Sequence, residues 1–326
     1  SHVDTEKPEK PTLAVDGAVD SNNSKWISGN GKATITPSVS KEPISKIKQF
    51  NYSYSGTTTG SVDKGSNLEI NSSNAGSYTF TSLSGSLMES DNSTVEIRVD
   101  STEPNCSVAY NPSSGWTKGP VTVTATADDE ESGLAENAYC FITSEEAPSK
   151  DDARWTSSNT KLLESKDDKY NLFVRDRVGN VLKYSEKIQY EQIDNEEPGK
   201  PTVELISKEG VYDNGTKVWR SAAAQNVTFQ IGAPSGTLPG SGIDHYEYKA
   251  SLGTYATVDN ATKEVTVSEG TYFIRAVSGV GNLGEDTSVT VNVDNAAPTV
   301  GAITYAPAGW TVENVTATVA EPTDEE

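Results

Sequence analysis

The sequence predicts an all-β chain of tandem sandwich modules, and three observations carry that reading. A linker phrase recurs four times, as Val3-Asp-Thr-Glu-Lys-Pro8, Val99-Asp-Ser-Thr-Glu-Pro104, Ile193-Asp-Asn-Glu-Glu-Pro198 and Val293-Asp-Asn-Ala-Ala-Pro298. Its aspartates Asp4, Asp100, Asp194 and Asp294 lie 96, 94 and 100 residues apart, the period of an array of similar domains. Between linkers, β-branched and polar residues alternate in short runs bounded by turn residues, the pattern of half-buried strands. No apolar periodicity of helical type extends beyond a turn or two, with Leu162 to Lys169 the one ambiguous stretch.

Each element repeats in order. After the linker comes a tryptophan: Trp26, Trp116, Trp219 and Trp310. Their recurrence at one place in every unit predicts core anchors, since a sugar platform would not need repetition. A valine-rich run follows, as in Val121-Thr-Val123, Val227-Thr-Phe229 and Val315-Thr-Ala317. Each complete unit then has an aromatic run: Ser77-Tyr-Thr-Phe80, Lys169-Tyr-Asn-Leu172 and Thr271-Tyr-Phe-Ile274. The closing turn is Val178-Gly179-Asn180 in unit two and Val280-Gly281-Asn282 in unit three, against a degenerate Ser84-Gly85-Ser86 in unit one. The modules are therefore expected at 3–99, 100–193 and 194–293, with the start of a fourth at 294–326. About 95 residues and six or seven runs per module fit immunoglobulin-like two-sheet sandwiches. Short, proline-bearing linkers predict an extended array.

The units also alternate. Units one and three share a doubled proline (Pro8 and Pro11; Pro198 and Pro201), whereas units two and four share a compact Tyr–Pro–Gly–Trp segment (Tyr110 to Trp116; Tyr305 to Trp310). A two-module ancestor accounts for this. Unit four stops at Glu326, where unit two reads Asp128-Asp129-Glu130-Glu131, so the chain reads as a piece of a longer protein. Its last segment is then expected to be disordered or to borrow a partner. Ser1-His2 resembles a cloning remnant.

Composition narrows the function. There are 47 acidic and 26 basic residues, a formal charge of -21, which disfavours nucleic acid and anionic membranes. No stretch nears the roughly 20 apolar residues of a membrane span. Apart from His2, the chain has only His245, in an alternating run, so nucleophile–histidine pairs and histidine-rich zinc sites have nothing to build on. No catalytic residue is assigned, and no enzyme activity is expected.

Two cysteines, Cys106 and Cys140, lie inside unit two, and an even pair in a secreted domain suggests a disulfide, worth roughly 3 to 4 kcal/mol in the chain-entropy picture. The alternative is two buried thiols on separate strands. The acids Asp100, Glu103, Asp128, Asp129, Glu130 and Asp194 are calcium candidates, because calcium wants six to eight oxygens; unligated surface loops are the competing reading, and no other cofactor is implied. Leu238-Pro239-Gly240-Ser241-Gly242 looks like a sorting signal but reads better as a turn. Trp155 stands off the repeated position and matches Tyr255, which favours a structural role.

The Asp-x-x-x-Pro linkers, the tryptophan before Val/Thr alternation, Ser241-Gly-Ile-Asp-His-Tyr-Glu-Tyr-Lys249, Gly270-Thr-Tyr272 and the Gly-Asn turns resemble the bacterial Ig-like repeats of Gram-positive surface proteins. The resemblance spans residues 3 to 326; unit one departs most. It implies an extracellular, cell-surface location and a stalk or spacer presenting a distal binding region of an adhesin. The alternatives are a module that binds a host protein or glycan through loops or a sheet edge, and the accessory region of a secreted carbohydrate-active enzyme. A monomer is expected.

Overall fold

Alternation along the chain becomes strands with one face inward. On the strand Lys32–Ser38, Ala33 and Ile35 are buried while Thr34 and Thr36 are partly solvated, as a pleated, half-buried strand requires. The computed structural model describes residues 4–213, 215, 217–224, 226–236 and 238–323; Ser1-His2, the start of the first linker at Val3 and the terminal Glu326 lie outside them. The described residues are all-β and fall into two compact units, Ser1–Ser114 with Pro120–Glu191, and Gly115–Gly119 with Gln192–Glu326.

In the first unit, module 1 has nine strands: β1 (Thr12–Asp16), β2 (Val19–Ser21), β3 (Ser24–Ser28), β4 (Lys32–Ser38), β5 (Ile47–Tyr54), β6 (Thr58–Asp63), β7 (Leu68–Asn71), β8 (Ser77–Ser84) and β9 (Ser93–Asp100). They form a three-stranded sheet, β1-β4-β7, and a six-stranded sheet, β2-β3-β9-β8-β5-β6. The chain crosses from the first sheet to the second after β1, and β3 pairs in parallel with β9, Trp26 opposite Arg98. This order, with the N-terminal segment divided between the two sheets as β1 and as β2–β3, is immunoglobulin-like. The core between the sheets holds Ile27, Ile35, Phe50, Ile70, Phe80 and Ile97, all buried.

Module 2 has β10 (Asn105–Asn111), β11 (Val121–Asp128), β12 (Leu134–Ile142), β13 (Thr160–Leu163), β14 (Asn171–Asp176) and β15 (Val181–Lys183). Its sheets are β10-β11-β13 and β12-β14-β15. The ambiguous stretch from Leu162 begins as strand β13 and turns, with Asp168 accepting from the Glu164 and Ser165 amides; no helix forms. The expected disulfide is not made: Cys106 and Cys140 are free. On β12 the partners opposite Tyr139 and Phe141 are Val174 and Leu172, both fully buried between the sheets, whereas Cys140 lies opposite Phe173 on the other face. Cys140 packs there with Ile142, Trp155 and Phe173. Cys106 lies on β10 in the opposite sheet, on the side that Tyr139 faces. The sheet itself therefore separates the thiols, and no bridge can reach through it. Burial raises both thiol pKa values, so neither is an activated nucleophile.

The second unit opens with Thr117 paired in parallel with Ile193. It contains β16 (Pro201–Leu205), β17 (Val211–Asp213), β18 (Val218–Ser221), β19 (Val227–Pro234), β20 (Ile243–Ala250), β21 (Ala256–Thr257), β22 (Glu264–Val267), β23 (Gly270–Ser278) and β24 (Thr287–Asp294). The sheets β16-β19-β22 and β17-β18-β24-β23-β20-β21 repeat the module 1 topology, including the parallel pair β18–β24. Val227, Phe229, Ile231, Ile274 and Val291 fill the core. Beyond it, β25 (Ile303–Ala306) and β26 (Thr316–Val319) form an isolated two-stranded ribbon with Ile303, Tyr305, Val315 and Val319 exposed.

The turn after the strand β8, β14 or β23 is built alike in all three modules. Asp176 accepts from the Asn180 amide at 2.8 Å, Ser278 from the Asn282 amide at 2.9 Å, and Ser84 from the Met88 amide at 3.1 Å. The residue before that amide has a left-handed backbone: Gly179 at φ 100°, Gly281 at φ 83° and, in module 1, Leu87 at φ 64°. A non-glycine residue there costs roughly 1–2 kcal/mol, and the Leu87 side chain is 66% exposed. Leu87→Gly is therefore expected to stabilise module 1 by about 1 kcal/mol, the relief of strain exceeding the added freedom of the unfolded chain. Denaturant unfolding measures it, and a loss of stability would contradict the strain argument.

A lone two-stranded ribbon is marginal in water. Amides of β25 and β26 are expected to exchange with deuterium nearly as fast as an unfolded chain while those of β23 and β24 stay protected; comparable protection would show the ribbon to be held by something else.

Candidate functional site

The linker aspartates are structural centres. Asp100, the last residue of β9, is fully buried. Its carboxylate accepts from the Thr102 amide at 3.1 Å and from the Ser132 amide of module 2 at 3.1 Å. Asn180 Nδ2, from the Gly-Asn turn, donates to it at 3.2 Å and to the Asp100 carbonyl at 3.3 Å. Asp194 is built the same way: it is 2% exposed and accepts from the Ser241 amide at 2.8 Å, the Ser241 hydroxyl at 2.5 Å and the Glu196 amide at 3.2 Å. Asn282 Nδ2 donates to the Asp194 carbonyl at 2.8 Å and to the Glu196 carbonyl at 3.0 Å. Asp4 repeats the contact with the Ser45 amide at 2.7 Å. The pattern has a local cause. Asp caps its own linker two residues on, an Asx turn, and the Ser and Asn residues of the next loops find it by the module's geometry. Pro8, Pro104 and Pro198 are buried beside these turns.

One junction carries more charge. Carboxylate oxygens of Asp100, Asp129 and Asp176 lie within 4.8 Å of one another. Asn180 Nδ2 donates to Asp176 at 2.6 Å as well as to Asp100, so one amide bridges two buried carboxylates. Burial, and then the nearby Asp100 charge, push Asp176 up to about 6 against the hydrogen bonds it accepts. Burial also raises Asp100, but the hydrogen bonds converging on it leave it below the ordinary carboxylate range. Glu131 is raised, first by sharing a proton with Asp100 and then by burial. The Ser132 hydroxyl faces the same carboxylate, is fully buried, and has no partner in hydrogen-bond geometry. The donor set is all oxygen, which suits a hard divalent cation.

Of the calcium candidates, the structure brings together Asp100 and Asp129 alone. Glu103, Asp128 and Glu130 are exposed and outside the cluster. Asp194 meets no second carboxylate in its clamp, because its turn carries Ser278 where module 2 carries Asp176. Asp176 was missed by the sequence reading. The signal was there: Asp176-x-x-Gly-Asn stands where the third module has Ser278-x-x-Gly-Asn.

The four tryptophans do not share one environment. Trp26 is 6% exposed, its indole donates to the Ser21 carbonyl at 3.1 Å, and Arg98 lies 5.6 Å over its ring. Trp219 is half-buried on β18 opposite Asn292. Trp116 is 43% exposed and is no core residue: its ring lies against Gly240, where a Cβ would fall 2.6 Å from Cη2. Trp310 is fully exposed beside the ribbon. The place in sequence repeats, but burial needs the strand to be flanked by a complete sheet, which Trp116 and Trp310 lack. Leu238 to Gly242 is a turn, closed by the Gly242 amide on the Pro239 carbonyl at 3.0 Å, and it supplies Ser241 to the clamp.

No protein-family model and no curated protein matches the chain. Solved structures resemble it at low identity. The chain is similar to an Escherichia coli adhesin at 12% identity, covering 89% of this chain and 99% of that one, with a TM-score of 0.32. It is similar to three domains of the bacteriophage RB49 outer capsid protein Hoc at 10% identity, 88% and 99% coverage and a TM-score of 0.36. Fibronectin(III)-like modules of Clostridium thermocellum CbhA match at 13% identity, 56% and 95% coverage and a TM-score of 0.32. The immunoglobulin-like assignment rests on the strand order itself. No helix of the described residues is long and apolar enough to cross a membrane.

The two kinds of buried aspartate titrate in opposite senses. Burial raises Asp194, but hydrogen bonds, chiefly from Ser241, more than reverse this and depress it. Its stabilisation is present above the unfolded value near 3.9 and is lost as pH falls through the depressed folded value. Asp194→Ala leaves buried donors unpaired and is expected to cost about 3 kcal/mol at neutral pH, a deficit that shrinks in acid. Asp176 is raised, so its ionisation opposes folding: stability is highest below the unfolded value and falls as pH rises towards about 6. The melting temperature of Asp176→Asn relative to the parent is therefore expected to rise between pH 4 and pH 7 in chelator. Parallel pH profiles for parent and variant would contradict the assignment.

Proposed function

We propose that the chain is a non-catalytic spacer segment of a bacterial cell-surface protein of adhesin type, lying outside the cell and carrying a distal binding region away from the surface. The observation behind this reading is the repeated linker clamp. A loose tether would leave its aspartates in water. Here Asp100 and Asp194 are buried and hydrogen-bonded to the loops of the module that follows. At Asp100 such a clamp ties the end of module 1 to the loops of module 2, which is what a spacer needs and an enzyme does not. The composition supports the same role, since a charge of -21 keeps a long surface array soluble and self-repelling.

The carboxylate cluster favours a second element of this reading, calcium at Asp100, Asp129 and Asp176, with Ser132 as a neutral oxygen donor. A bound cation would relieve the repulsion between the buried carboxylates and stiffen that one junction. Small-angle scattering tests the spacer reading: an elongated particle is expected, and a radius of gyration near that of one 326-residue globule, about 20 Å, would overturn it. Calorimetry with millimolar calcium tests the cation separately. Calcium is expected to raise the melting temperature of the parent and not of Asp129→Ala; equal responses would remove the metal and leave the spacer reading standing.

A further inference from the structure

The outer face of the β5–β8 sheet distinguishes module 1 from its neighbours. In module 2 the corresponding face is covered: Trp155 packs on Phe173 and Cys140, with Arg175 lying 4.4 Å over the indole. In module 3 Tyr255 lies there beneath Arg275, 3.6 Å away, and Arg275 pairs with Glu247 at 2.7 Å. The two aromatics share the strip but not the register. Thr156 donates to the Tyr139 carbonyl and Val258 to the Tyr246 carbonyl, which places Trp155 one residue before its anchor and Tyr255 three before.

Module 1 has no such cover. Counted back from the shared turn, Thr79 and Thr81 on β8 stand where β14 has Asn171 and Phe173 and β23 has Phe273 and Arg275, with Leu83 the next outward residue of β8. With Gln49 and Asn51 on β5, Ser61 on β6 and Glu89, they line an open groove of about 540 Å³. Its planar groups hold one another in place. Gln49 Nε2 donates to Asn51 Oδ1 at 2.7 Å, and Asn51 Nδ2 donates to Glu89 Oε1 at 2.8 Å. This leaves one further amide hydrogen on each carboxamide, the Gln49 carbonyl oxygen and Glu89 Oε2 without a partner among the described residues. Among the described residues, no protein group takes the hydroxyls of Ser61, Thr79 or Thr81.

We propose that this groove binds an uncharged oligosaccharide. Its chemistry is that of hydroxyls and carboxamides with matched donors and acceptors, the complement of sugar hydroxyls. It offers no cation to a phosphate, a sulfate or an acidic sugar, and its one ionised group, Glu89, is an acceptor on a chain that already repels anions. Apolar peptides find no pocket for a side chain. Gln49, Asn51 and Glu89 are fixed by hydrogen bonds to one another, so binding orders few of the longer side chains. The inference goes beyond the spacer role and is independent of it.

The test is a titration of the isotopically labelled protein, followed by its side-chain amide signals in nuclear magnetic resonance spectra, with neutral oligosaccharides of glucose, galactose and mannose. Saturable shifts of the Gln49 and Asn51 amides are expected with at least one of them at concentrations up to about 10 mM, enough to fill a weak site. Asn51→Ala, which breaks the relay, is expected to weaken binding about tenfold or more, equivalent to about 1.4 kcal/mol, and Thr81→Val to weaken it without altering the spectrum elsewhere. Glu96→Gln, on β9 outside the groove, should bind as the parent does. No saturable shift with any of the sugars, shifts equal in parent and Asn51→Ala, or shifts produced only by acidic sugars or by peptides would each overturn the proposal.

Discussion

The structure depends on one interaction, a linker carboxylate taken out of water and surrounded by donors. An ionised carboxylate is costly to bury unless its lone pairs are met, and backbone amides in turns meet them at about 1.5–3 kcal/mol for each charged hydrogen bond. The Asp100 carboxylate satisfies that condition with donors from its own linker, the Ser-Gly loop and the Gly-Asn turn, and the Asp194 carboxylate with donors from its linker and the Ser-Gly loop, while Asn282 of the Gly-Asn turn holds its backbone carbonyl. Because the donors come from distant points in the sequence, the aspartate is satisfied only when the following sandwich is folded. One side chain thus couples the path of the linker to the integrity of the next domain. The linker proline lies buried beside it, so backbone stiffness and hydrogen bonding act at the same place.

Around this fixed frame the modules differ where the frame does not constrain them. The inward positions of β8, β14 and β23 are interchangeable apolar residues, Phe80, Leu172 and Ile274. The outward positions flanking these are Thr79 and Thr81, then Asn171 and Phe173, then Phe273 and Arg275. Covering the outer face has consequences inside module 2: Leu172, Phe173 and Val174 are consecutive and all buried, which alternation alone would not produce. The arginine above Trp155 shields the aromatic while keeping its own charge in contact with carbonyls, at 2.9 Å from Asn137 and 2.6 Å from Lys150.

The array and its strands were legible because both are periodic. A two-residue period and a near-constant domain period survive without any knowledge of contacts. Cys106 and Cys140 were not legible, since pairing depends on which face of β12 each neighbour takes, and a bulge between Leu134 and Tyr139 resets that face. The tryptophans failed for a related reason. Trp26 and Trp219 sit on strands that join a six-stranded sheet, whereas Trp116 stands beside a single bridged residue, Thr117. Among the linker acids, burial separated Asp100 and Asp194 from Glu103 and Glu197, which are exposed, and nothing in composition distinguishes a clamp from a solvated loop. Asp176 needed the modules to be aligned turn against turn, where its partners are Ser84 and Ser278.

That comparison also explains why only one junction is electrostatically strained. A serine at the turn gives the same hydrogen bond to the amide four residues on, without a charge. An aspartate there adds a second buried carboxylate beside the linker aspartate, and Asn180, with a single amide group, must serve both. Ionisation of Asp176 therefore opposes folding of this module, as a serine would not. The calcium proposed at this cluster would offset that repulsion, which the serines of the other two turns do not create. The Ser132 hydroxyl faces Asp100 outside hydrogen-bond geometry, whereas in the third module the equivalent Ser241 hydroxyl is bonded to its aspartate.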